Sequence, residues 1–177
     1  MYRSGNRRCG LGRISTSPVS AFTRLPGAFQ SDIDNARESL QNLGPMRYQI
    51  DGTRFSTLEE FFDEVSRVLV QGRQWGHNLD AFNDILRGGF GTPTGGFTIY
   101  WKDHLLSRER LGYGETIRQL EMRAESCHPL SRDKILTELV AARAHQGPTV
   151  FDWLTGIIRI HGLGGSEGQD RVELILD

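Results

Sequence analysis

Three short runs of strand-forming residues lie far apart in this chain, and the stretches between them carry helical periodicity. Met46, Tyr48 and Ile50 alternate ahead of an Asp51-Gly52 turn, Phe97-Thr-Ile-Tyr-Trp101 is apolar or amphipathic throughout, and Arg171-Val-Glu-Leu-Ile-Leu-Asp177 ends the sequence. Strands separated by long helical crossovers pair in parallel, with right-handed connections and helices covering the sheet. An unbroken apolar run such as 97–101 suits a strand buried on both faces. The expected class is α/β, a small three-stranded parallel sheet flanked by helices in the order β-α-α-β-α-α-α-β.

The helical stretches carry their own punctuation. Ser56 with Glu59, or Thr57 with Glu60, makes a capping box ahead of Leu58, Phe61, Phe62, Val65, Val68 and Leu69, and Gly72 ends that run. Asn78 is a good N-cap for a second helix whose Leu79, Phe82 and Leu86 share one face. Gly88–Gly96 reads as a loop. Two further helices carry Ile117, Leu120, Ala124 and Cys127, then Ile135, Leu139 and Ala142 from a start at Ser131. Gly147-Pro148 stops the second, and Thr149 with Asp152 caps a last helix bearing Phe151, Leu154, Ile157 and Ile158. Loop 162–168 is glycine-rich and expected to be mobile.

Composition divides the 177 residues unequally. Residues 1–45 hold six Arg and three acids, none of the acids before Asp32, while 46–177 hold 15 basic and 19 acidic side chains. The head is rich in Gly, Ser and Arg without periodicity, so it is expected to be disordered, a transit peptide or an upstream-start artefact. The folded domain is expected at 46–177. A net charge of −1 argues against a nucleic-acid footprint over the whole chain. Two distant cysteines, Cys9 and Cys127, exclude a disulfide framework and fit a reducing, cytoplasmic setting. No stretch reaches the ~18 apolar residues of a membrane span.

Common site chemistries find no support. Gly88–Gly96 lacks the Lys-Ser/Thr of a phosphate loop and precedes a strand, where such a loop precedes a helix. His77, His104, His128, His145 and His161 form no pair at metal-binding spacing. No metal or cofactor is expected, and no catalytic residues. A hydrolase using His77 and Asp80 is a rival class; so is an RNA-associated protein binding phosphates through the Arg-rich head.

The second helix is the informative one. Asp80 and Asp84, spaced i and i+4, project two carboxylates from one face, where like charges cost roughly 0.2–0.5 kcal/mol of helix stability. The macrodipole offsets this at Asp80, in the first turn, and hardly at Asp84. Asn83 is expected on the same exposed side.

The run Trp75-Gly-His-Asn-Leu-Asp-Ala-Phe-Asn-Asp84 resembles the recognition segment of the barstar family, intracellular inhibitors of ribonucleases, in which aromatic-Gly-x-Asn-Leu-Asp-Ala-x-x-Asp joins the first helix to the second. The likeness extends over Met46–Phe55, the first helix, the strand ending Tyr100-Trp101 and the terminal strand. It fits residues 103–170 less well and does not cover 1–45. The resemblance implies the same three-stranded fold and a non-enzymatic role, stoichiometric inhibition of a basic ribonuclease, 1:1, with no membrane and no nucleic acid bound by the folded domain. It assigns Asp84 as the mimic of a substrate phosphate and Asp80 as its acidic neighbour, with Gln74, Trp75, Gly76, His77, Asn78 and Asn83 on the contact surface. Gln74 and Asn83 depart from the aromatic residues of the familiar pattern, which implies another target nuclease, in housekeeping or in toxin immunity. A further acidic contact is expected from the helix before the last strand, for which Asp152 and Glu167 match poorly. The assignment requires that neither aspartate is turned inward or neutralised by a guanidinium.

Overall fold

The computed structural model describes residues 46–177; the segment 1–45, with the arm considered for RNA, lies outside the described residues. The elements run β1 (Met46–Asp51), α1 (Leu58–Val68), α2 (Leu79–Leu86), β2 (Phe97–Lys102), α3 (His104–Arg110), α4 (Tyr113–Ser126), α5 (Pro129–Arg143), α6 (Val150–Ile160), a 3-10 turn (Gly168–Asp170) and β3 (Val172–Leu176). The α/β class and the three-stranded parallel sheet are those expected from the sequence. The order gains one short helix, α3, whose seven residues are too few to show a period; it follows directly on β2 from Asp103, a residue in the left-handed region.

β2 is the central strand, paired in parallel with β1 on one side and β3 on the other. Ile50 lies opposite Trp101, and Phe97 opposite Val172. That position explains the composition of β2: Phe97, Thr98, Ile99 and Trp101 are all buried, as a central strand covered on both faces requires. The one polar member, Thr98, donates its hydroxyl to Glu173 on β3 at 3.0 Å.

The core is aromatic. Trp101 stacks on Phe61 at 5.3 Å, and Phe61 meets Phe55 and Phe82 edge-on. The buried Trp101 indole N–H donates to Ser107 Oγ at 2.9 Å, so α3 supplies the polar partner that the ring needs. From α2, Phe82, Ile85 and Leu86 enter the same core, which fixes which side of that helix faces out. A smaller cluster of Leu120, Leu139 and Ala142 holds the α4–α5 hairpin together, with Trp153 of α6 packed beside it.

Caps follow the sequence closely. Thr57 accepts from Glu60 N–H, while the Glu60 carboxylate takes the Ser56 N–H. Thr149 and Asp152 form a reciprocal capping box. For α5 the start moves two residues back from Ser131 to Pro129, because the His128 ring accepts the Leu130 N–H and proline suits the first helical position. Loop 162–168, expected to be mobile, is folded on itself: Gly165 N–H bonds Gly162 O and Glu167 N–H bonds Ile160 O. Among the described residues no helix is long and apolar enough to cross a membrane.

Candidate functional site

The segment 74–84 is held from below by α1. The Trp75 indole N–H donates to Ser66 Oγ at 2.7 Å, and its ring packs edge-on against Phe62. His77 Nε2 lies 3.0 Å from the same Ser66 oxygen, and its ring is 4.8 Å from that of Trp75. One serine hydroxyl thus anchors two residues of the loop. His77 adopts φ +43°, a left-handed conformation costly for a side chain with a Cβ, held in place by these contacts. Gln74 is exposed.

Gly76 and Asn78 start α2. Asn78 Oδ1 accepts from Ala81 N–H at 2.8 Å, and its Nδ2 donates to Gly76 O at 3.1 Å. A Cβ on Gly76 would stand 2.9 Å from Asn78 Nδ2 and 3.0 Å from Ala81 Cβ, so the cap needs glycine there. Asn78 therefore spends its amide on the helix start, and the motif's Gly-x-Asn is the local code for a well-set α2.

Asp80 and Asp84 both point to solvent. Asp80 has no ion-pair partner among the described residues. Asp84 does: Arg87 Nη1 donates to its Oδ1 at 3.0 Å, with 62% of the aspartate side chain exposed. The same guanidinium turns its Nε and Nη2 onto Glu167, at 2.7 and 2.9 Å. The requirement that neither aspartate be neutralised by a guanidinium is thus not met in full at Asp84. Arg87 makes a two-bond pair with Glu167 and a single bond with Asp84. This neighbourhood holds the Glu167 carboxyl below its ordinary range, with the Arg87 hydrogen bonds as the main cause. It raises the Arg87 guanidinium further above its already high value.

Asn83 departs from expectation. It is half-buried, and its Oδ1 lies 3.0 Å from His161 Nε2. His161 is wholly buried, and its Nδ1 lies 2.6 Å from Asp170 Oδ2 and 3.8 Å from Glu167 Oε2. The side chain assigned to the exposed face is thus a strut between α2 and the loop before β3.

The residues that sequence reasoning missed are Arg87, His161, Asp170 and Ser66, together with Glu167, judged there a poor match. Arg87 meets Glu167 across 80 positions, and Asn83 meets His161 across 78. No spacing rule reaches that far. His161, Glu167 and Asp170 offer three ligand atoms within 4.8 Å, but Arg87 already occupies both Glu167 oxygens and places a positive charge beside them, which opposes a cation.

The structure thus presents two exposed carboxylates, one of them shared with Arg87, on a capped helix whose preceding loop is tied to α1. None of the curated proteins compared with the chain matches it. The family model described as Barstar (barnase inhibitor) matches residues 46–137, which include β1, α1, the motif loop, α2 and β2. The chain belongs to the barstar family.

Proposed function

We propose that this protein is a stoichiometric inhibitor of a ribonuclease and that α2 with the loop before it plugs the enzyme's active site. A ribonuclease gathers cationic side chains around a substrate phosphate, so its empty site attracts anions. Asp84 takes the place of that phosphate, and Asp80, one turn earlier, meets a neighbouring cation through charge-assisted hydrogen bonds. Trp75, His77 and Gln74 line the approach, and Asn78 and Gly76 act by fixing the helix. Asn83 acts from beneath the face.

The observation that carries the reading is the exposure of Asp80 and Asp84 on a helix whose apolar face is locked into the core, in a chain of this family. Carboxylates mounted on a rigid element lose little freedom on binding. On this reading the functional domain is 46–177, the protein has no catalysis of its own and no cofactor, and it works in the cytoplasm against a self-made or delivered nuclease.

The experiment is a titration of RNA cleavage by the full chain, first with barnase and then with any ribonuclease that the chain captures from its host's extract. The expected result is activity falling linearly to a 1:1 end point. If the chain inhibits neither and captures no ribonuclease, the reading fails.

A further inference from the structure

Arg87 poses a problem for an inhibitor built on Asp84. It stands one turn along the helix, at the end of α2 where a cation is favoured by the macrodipole, and it already donates to the carboxylate that the nuclease needs. A guanidinium free to choose would pair two-pronged with Asp84 and cancel its charge.

Glu167 prevents this. Its two oxygens take the Nε and Nη2 side of Arg87, leaving Asp84 a single bond through Nη1. Glu167 can do so only because its loop is fixed. Its N–H bonds Ile160 O at 2.8 Å, and Val172 N–H bonds His161 O at 3.0 Å. Below it, His161 joins Asp170 to Asn83, the residue just before Asp84, so the loop and α2 are tied together. The Glu167 side chain is 24% exposed, against 49% for Arg87 and 62% for Asp84. The anchored anion draws the more exposed cation.

We infer that Glu167 is a positioning residue of the inhibitory face, holding Arg87 off Asp84 so that the Asp84 carboxylate stays available to the cations of a ribonuclease. The inference rests on the proposed role of Asp84 and adds a device to it. Arg87 is the built-in competitor, and the loop before β3 sets how strongly it competes.

The test uses full-chain Glu167→Gln, Arg87→Ala and the double variant, with barnase as the probe, together with a crystal structure of free Glu167→Gln. Gln is isosteric and the site is at the surface, so folding is not at risk. Glu167→Gln is expected to weaken inhibition roughly two- to fivefold, as fits loss of a partly exposed charged pair. Arg87→Ala is expected to inhibit at least as tightly as the parent, and the double variant to match Arg87→Ala. In the crystal, Arg87 is expected to turn two nitrogens onto Asp84. An unchanged Glu167→Gln overturns the inference; so does equal weakening in both Arg87 backgrounds, which would place Glu167 in direct contact with the enzyme. A crystal with Arg87 still on residue 167 overturns it as well. If the parent does not inhibit barnase, that bears on the inhibitor reading, while the crystal still decides the role of Glu167.

Discussion

Asn83 turns its side-chain oxygen inward to within 3.0 Å of His161 Nε2, although its neighbour Asp84 faces solvent. The face of α2 is therefore braced from beneath by a buried imidazole that also holds Asp170, 2.6 Å away. Replacing His161 with Ala removes a fully buried ring and strands two polar groups. The expected cost is about 3 kcal/mol. Differential scanning calorimetry should show Tm lowered by roughly 6–12 °C for a chain of this size. A shift under about 2 °C would mean that the brace bears no load.

Asp84→Ala separates binding from stability. The side chain is exposed and lies outside the core, so Tm should move by no more than about 0.5 kcal/mol allows. Inhibition of the cognate ribonuclease should fall by at least tenfold, or about 1.4 kcal/mol. Inhibition constants and melting curves on the same preparation check this. A variant that inhibits like the parent would remove Asp84 from its role.

Association should slow as salt rises, because exposed Asp80 and Asp84 steer the protein toward a cationic cleft and screening shortens that reach to about 8 Å at physiological ionic strength. Stopped-flow association rates at low and physiological salt measure it. A rate that does not change would count against steering.

Ser66→Ala tests whether the motif loop must be held. The hydroxyl accepts from Trp75 and contacts His77, so its loss removes hydrogen bonds worth about 1 kcal/mol each. Alanine returns up to roughly 0.5 kcal/mol of helix propensity in the last turn of α1. The net cost of about 1.5 kcal/mol should lower Tm by roughly 3–6 °C, and inhibition measured where both proteins are folded should weaken severalfold. A lowered Tm with unchanged inhibition by the folded variant would make Ser66 a purely structural residue.

Acid should unfold the domain partly through Glu64. Burial alone would raise the carboxyl of Glu64, but hydrogen bonds from Arg67 and the Asp51 N–H, with the charges of Arg67 and Arg54, hold it below its ordinary 4.5. A carboxyl lowered by folding stabilises the native state above its unfolded value, and that stability is lost as pH falls through the folded value. Chemical denaturation should show the parent losing stability below about pH 4.5 more steeply than Glu64→Gln, which starts lower at pH 7. Parallel profiles would exclude Glu64 as a source.

Much of the site was legible because its code is local. The Asn78 cap and the i, i+4 aspartates each act within about one turn of helix, and that capping and spacing read directly from the sequence. Arg87 lies in the same turn, yet its role was hidden because its principal partner, Glu167, arrives from the far end of the chain. Asn83 was expected on the exposed side, opposite Leu79, Phe82 and Leu86. Helix geometry put it near the edge of that face, and only a histidine packed beneath could turn it inward.

By itself the sequence determined the three parallel strands, every helix between them but the short α3, most of their caps and the family motif, since each follows from periodicity and hydrogen bonding between near neighbours. The tertiary structure alone decided how the charges near Asp84 are shared. Attraction between Arg87 and Glu167 depends on the distance between them in space, and the fold of the loop before β3 sets that distance.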